Sequence, residues 1–212
     1  MTAKEKHGHI DHVFANAGIG NRADYLADEF DENGMLKEPT SLTYDINLKG
    51  VVNTSYLGIH HMRHQDPPGG SIVLTASASS FQRFRVVDYV TTKHAVLGFM
   101  RGVVPLLQVN DLPIRCNLVA PGWTDTAIVP PGLLKAARVD YQSPEDVAKS
   151  VAVLMADSAR QGQAIYSREG KYWEVDQRLM EVAHEFLGKD DEDAAMGKMY
   201  EVAAKASSTG SQ

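Results

Sequence analysis

The stretch Gly69-Gly-Ser-Ile-Val-Leu-Thr-Ala-Ser77, followed after a short loop by Tyr89-Val-Thr-Thr-Lys93, carries the most structural information in this chain. Its first half is an apolar run closed by small polar residues, the mark of a buried strand entering a loop. In its second half, Tyr89 and Lys93 stand four residues apart, so on a helix both side chains share one face. A free tyrosine has a pKa near ~10 and is a poor base at neutral pH. A fixed ammonium beside it favours the phenolate, so Lys93 is expected to lower the Tyr89 pKa. The pair has the makings of a general acid/base for a hydroxyl or a carbonyl.

Alone, such a pair also fits a tyrosine at the core edge with a solvated lysine one turn away. Its company adds weight. Ser77 ends a strand-like run twelve residues before Tyr89, Asn47 opens Asn-Leu-Lys-Gly, Asn16-Ala17-Gly18 closes an earlier apolar run, and Pro121-Gly122-Trp123-Thr124-Asp125-Thr126 follows a third. Ser77 sits in Ala-Ser-Ala-Ser-Ser, where Ser79 or Ser80 could act instead. Asn47 could also be a helix-interior amide bonded to backbone. His60 and His64 make an i, i+4 pair without a carboxylate or cysteine nearby, so a solvated face is expected and no metal. Trp123, Phe81, Phe84, Val86 and Val87 either line a substrate pocket or belong to the core.

The 212 residues suffice for one domain with a sizeable core, and 43% hydrophobic with 23% charged residues is ordinary for a globular protein. No apolar run reaches the ~18 residues of a membrane span. The N-terminal residues 1–9 are charged and lack a signal-peptide core, so no secretory leader is expected. A single cysteine, Cys116, excludes an intrachain disulfide and fits a reducing, cytoplasmic compartment; its apolar surroundings suggest a structural thiol. The net charge of −6 argues against nucleic acid as a partner.

Read along the chain, residues 10–15 form a strand and 21–40 a loop. Residues 41–64 form a helix stopped by Asp66-Pro-Pro-Gly-Gly70, and 71–75 the next strand. Residues 90–107 form a long helix and 114–120 a strand. A helix capped by Ser143-Pro144-Glu145-Asp146 runs to about Met155, and residues 163–166 are the last strand. This alternation implies an α/β fold with a parallel sheet covered on both faces. The domain is expected over residues 1–187, with a flexible acidic and Ala/Ser-rich tail over 188–212.

Together these motifs resemble the short-chain dehydrogenase/reductase family over nearly the whole chain. Asn47-Leu-Lys-Gly and Thr92-Lys-His-Ala-Val-Leu-Gly-Phe99 look closest to its 15-hydroxyprostaglandin dehydrogenase-like branch. The resemblance implies a Rossmann-like doubly wound sheet, NAD or NADP as cofactor, and a homodimer or homotetramer built on the helices at 41–64 and 90–107. It further implies roles for single residues. Tyr89 would exchange a proton with the substrate oxygen, Lys93 would lower the Tyr89 pKa and bind the nicotinamide ribose, and Ser77 would hydrogen-bond that oxygen. Asn47 would hold a water linking Lys93 to solvent. Asn16, Ala17 and Gly18 would lie along the adenosine side. Pro121, Gly122, Trp123, Thr124 and Thr126 would bracket the carboxamide, and glycine at 18 and 122 would let backbone approach the ligand.

The family's glycine-rich phosphate loop is not among the fifteen residues before Asn16. Gly18-Ile-Gly-Asn-Arg-Ala23 fits G-x-G-x-x-A, but the polar stretch that follows opens no helix, so the Asn-Ala-Gly reading is preferred. By the family's topology the N-terminal strands are missing and the first strand is a bare edge. The expectation is an incomplete version of a longer chain, an NAD(P)-dependent oxidoreductase interconverting a secondary alcohol and a ketone on a small apolar substrate. A truncated, non-catalytic binding protein and a non-redox enzyme reusing the Tyr/Lys pair stay open.

Overall fold

Ile72, Val73 and Leu74 are all fully buried, yet they point to opposite sides of one strand. Ile72 and Leu74 pack with Met62, Val96, Met100 and Leu107, while Val73 packs with Val119, Val151, Leu154 and Ile165. That two-sided burial explains the unbroken apolar run, and each such side chain contributes about 1.5–3 kcal/mol. The computed structural model describes residues 3–130, 132–188, 194–200 and 202. Its sheet runs in the spatial order β1-β2-β3-β4-β5. Strands β1 (His12–Ala15), β2 (Gly70–Thr75), β3 (Ile114–Pro121) and β4 (Ala164–Arg168) are parallel, and β5 (Lys171–Glu174) is antiparallel to β4.

Helices α3 (Gly50–Arg63) and α4 (Val87–Val109) cover one face of the sheet, and α6 (Pro144–Ala156) covers the other. The parallel α/β layering expected from the sequence is present. Short helices α1 (Ala3–His7), α2 (Leu42–Tyr44) and α5 (Leu133–Ala136) complete this unit, which spans Met1–Val175. A second unit, Asp176–Gln212, contains α7 (Asp176–Leu187), and residues 194–200 are helical. The fraying expected of the tail falls largely on residues 189–193 and 203–212, outside the described set.

Local chemistry accounts for the element ends. Ser143 caps α6 by accepting from the Asp146 N–H at 3.2 Å, and the Asp146 carboxylate accepts from the Ser143 N–H, a reciprocal capping box with Pro144 in the first turn. The segment at 42–63 is helical, but Asp45–Lys49 winds as a π-turn between α2 and α3. Such bulges recur at functional sites. Helix α4 begins at Val87, earlier than expected, which puts Tyr89 in its first turn. Residues 21–40 are largely irregular, as their composition implied. The strand at 163–166 is not the last: Glu169 and Gly170 both adopt positive φ (51° and 71°) and fold β5 back as a tight hairpin. Arg-Glu-Gly-Lys lacks the Asn-Gly signature of such turns, and so hides this one in the sequence. Tyr166 stacks on its cross-strand partner Trp173 at 5.6 Å. Strand β1 lies at the sheet edge, with Phe14 exposed.

Candidate active site

Parallel strands all end on the same side, so the residues after β1, β2 and β3 converge at one edge of the sheet, beside the start of α4. Ser77 follows β2 and is extended, and its hydroxyl accepts from the Ser79 N–H at 3.2 Å. The Ser77 hydroxyl lies close enough to the Tyr89 phenol to act on its pKa. One turn along α4, the Lys93 ammonium is 2% exposed, donates to the Thr75 carbonyl at 2.7 Å and lies 5.6 Å from the centroid of the Tyr89 ring. Serine, tyrosine and lysine thus form one cluster.

Ser80 holds this helix from beneath, donating from its hydroxyl to the Lys93 carbonyl at 2.7 Å. Of the three candidate serines, Ser77 faces Tyr89 and Ser80 secures the Lys93 backbone, whereas the buried Ser79 hydroxyl has no partner among the described residues. Asn47 is fully buried in the π-turn. Its amide accepts from the Ile19 N–H and donates to the Ile19 carbonyl, both at 2.8 Å, which welds the segment after β1 to the helix at 42–63. A Cβ on Gly18 would stand 3.4 Å from Asn47 Oδ1 and 3.6 Å from Lys93 Nζ. The absence of a side chain there keeps the space beside the ammonium open.

Burial sets the electrostatics. It raises the Tyr89 phenol above its ordinary value, and the nearby Ser77 hydroxyl offsets only part of that rise. The net direction is opposite to the lowering expected from Lys93. Burial also pulls the Lys93 ammonium down to about 8, because its positive form loses hydration. The Cys116 thiol is pushed up to about 12 by burial, which makes it a packing group rather than a nucleophile.

The remaining candidates occupy the same edge. Asn16 accepts from the Thr75 hydroxyl at 2.9 Å, and Ala17 is exposed. Pro121 ends β3, and the Gly122 N–H donates to the Ser167 carbonyl at 2.8 Å. The close approach at Gly122 is to β4: a Cβ there would lie 3.1 Å from that carbonyl oxygen. Thr124 donates to the Gly122 carbonyl at 3.0 Å, Trp123 is 48% exposed, and Thr126 faces solvent. Trp123 meets Phe84, itself 37% exposed, edge to face at 6.3 Å.

A family model described as short chain dehydrogenase matches residues 1–132. The chain belongs to that family. It is 49% identical over 180 residues to the short-chain dehydrogenase/reductase ascJ of Acremonium egyptiacum, a match covering 84% of this chain and 61% of ascJ. It is 27% identical over 124 residues to the Homo sapiens 15-hydroxyprostaglandin dehydrogenase [NAD(+)], covering 58% of this chain and 41% of that enzyme. The crystal structure of a short chain dehydrogenase from Mycobacterium paratuberculosis bound to NAD superposes with a TM-score of 0.61 at 25% identity, covering 79% of this chain and 66% of that one. The chain therefore spans about two fifths to two thirds of the length of these relatives.

In this dehydrogenase-family chain, the cluster suits the ribose of a nicotinamide cofactor. The Lys93 ammonium carries three N–H donors and spends one on Thr75, beside the bare Gly18 backbone. Three supporting residues escaped the sequence reading. The sequence offers Ser80 only as a substitute for Ser77. Gln142 donates to Ser167 and Thr124 at 3.0 and 3.3 Å, holding the Gly122–Thr124 turn in place. Asp88 lies buried in the first turn of α4. Gln142 and Asp88 act across long sequence separations, so no local spacing reveals them.

Proposed function

We propose that the full protein is an NAD(P)-dependent oxidoreductase that interconverts a secondary alcohol and a ketone, with Tyr89 as the acid/base. The observation that carries this reading is the buried Lys93 ammonium 5.6 Å from the Tyr89 ring, with Ser77 beside the same phenol. A bound nicotinamide would supply the hydride chemistry. Ser77 donates to the substrate oxygen and holds it beside Tyr89. In the reducing direction the Tyr89 phenol gives that oxygen its proton; in the oxidising direction its phenolate takes the proton from the alcohol. Burial favours the neutral phenol over the phenolate. Lys93 binds the ribose hydroxyls and favours the phenolate while Tyr89 is deprotonated. Asn47, through Ile19, fixes the strand end along which the cofactor lies. Pro121, Gly122, Thr124 and Thr126 meet its carboxamide side.

The Phe84–Trp123 pair at the same sheet edge supports a small, apolar substrate. Assembly through α3 and α4 is part of the proposal, since Tyr56, Leu57 and Leu106 on these helices are exposed; a monomer by light scattering at micromolar concentration argues against it. A cytoplasmic location fits the single buried thiol. The assembled Ser77, Tyr89 and Lys93 set argues against a non-catalytic binding role. Thermal shifts of the full-length protein with NADH and NADPH test the reading. A ligand at a hundredfold excess over its Kd stabilises the folded state by about 2.7 kcal/mol. A clear rise with one cofactor is expected, and no rise with either sinks the proposal.

A further inference from the structure

The carboxylate of Asp88 is 0% exposed, and both of its oxygens are occupied. Oδ2 accepts from the Thr43 hydroxyl at 2.6 Å, the Arg22 N–H at 2.8 Å and the Ala23 N–H at 3.1 Å; Oδ1 accepts from the Tyr89 N–H at 2.8 Å. These donors come from three places: the loop after β1, helix α2 and the first turn of α4 itself. Asn47 grips the same loop at Ile19. Residues 16–24 form no helix and no strand. Backbone N–H groups in such a loop need other partners, and here Asn47 and Asp88 supply them at three positions. One end of this loop is Gly18, beside Lys93 Nζ; the other is bonded to the residue preceding Tyr89.

We propose that Asp88 is a positioning residue that clamps the loop at 19–23 to the first turn of α4 and thereby sets cofactor affinity. This rests on the oxidoreductase reading for its consequence, but the clamp itself can be measured without turnover. The loop and the helix bring a bare backbone and an ammonium together where the cofactor is expected to lie. A neutral amide cannot reproduce the clamp: with its oxygen in the Oδ2 place, its NH₂ faces the Tyr89 N–H and one donor is orphaned.

The test uses full-length protein carrying Asp88→Asn or Thr43→Val. The first readout is amide hydrogen exchange over residues 19–25 without cofactor. The second is the split between cofactor KM and kcat, backed by fluorescence titration with NADH or NADPH. For Asp88→Asn, exchange at 22–23 should quicken by about tenfold, as replacing a charged acceptor of these N–H groups by a neutral one implies. Cofactor KM should rise by a similar factor with kcat changed by less than about threefold, the pattern of lost uniform binding. Thr43→Val removes one bond and should give a rise of about twofold to threefold in both. Unchanged exchange at 22–23 overturns the clamp. Faster exchange with unchanged cofactor affinity overturns the functional role and leaves a stability element. Should Asp88→Asn fail to fold, Thr43→Val decides on the same two readouts. If the wild type turns over no alcohol or ketone, the oxidoreductase reading fails, while the exchange and titration arms still judge the clamp.

Discussion

Replacing Lys93 with methionine should reveal how much stability the site gives up to keep a buried ammonium. The side chain is 2% exposed, and burial lowers its pKa from 10.5 to about 8. At about 1.36 kcal/mol per tenfold change in proton affinity, that fall costs the folded state on the order of 3 kcal/mol wherever the lysine is charged in both states. Because the folded pKa lies below the unfolded one, the unfolded chain binds more protons between pH 8 and pH 10.5. Wild-type stability therefore rises with pH across that window relative to Lys93→Met. At pH 7 methionine also forfeits the bond to the Thr75 carbonyl and the contact with the Tyr89 ring, each worth about 1 kcal/mol. The net gain for the variant at pH 7 is about 1 kcal/mol, accompanied by loss of turnover. Urea midpoints for both proteins from pH 7 to above pH 10.5 measure it. The gap between the curves should shift by about 3 kcal/mol in favour of the wild type over that range. A gap independent of pH would refute the assignment of a desolvated ammonium at Lys93.

Two further outcomes follow from the site. Ser77→Ala should leave the fold intact and lower kcat by about a hundredfold or more, since a hydrogen bond formed to the oxygen during hydride transfer is lost; steady-state kinetics check it. Asp88 is raised by burial but pulled further down by its hydrogen bonds from Arg22, Thr43, Ala23 and Tyr89, for a net lowered pKa. Its contribution to stability is thus present above the unfolded value near ~3.9 and fades as pH falls through the folded value. The stability difference between wild type and Asp88→Asn should hold steady above about pH 5 and shrink below about pH 4 in urea titrations.

Much of this site was legible because its parts are local. The Tyr89–Lys93 spacing fixes a shared helix face, the apolar run before Ser77 fixes a buried strand, and Ser143-Pro144 marks a helix start. What stayed hidden depends on distance or on burial. Asp88 binds donors 65 and 66 residues away, and no pattern in the chain announces that bond. The raised Tyr89 pKa reflects desolvation, which outweighs the lowering effect of Ser77 and which the Tyr89–Lys93 spacing does not reveal. The π-turn at Asn47 does not interrupt the apolar periodicity of 41–64, so the segment reads as plain helix. The β4–β5 hairpin turns on a positive-φ Glu169, a residue type that signals no turn.

The central claim is that Tyr89 moves the proton. Tyr89→Phe removes one hydroxyl from the full-length protein and leaves the ring and its packing. With a substrate identified by cofactor-coupled screening, single-turnover reduction by the wild type and by this variant is the most direct measurement. A loss of roughly 10²–10⁴-fold in the hydride-transfer rate, with cofactor affinity kept, is the predicted result. Near-normal turnover in Tyr89→Phe would contradict the account and move the acid/base elsewhere.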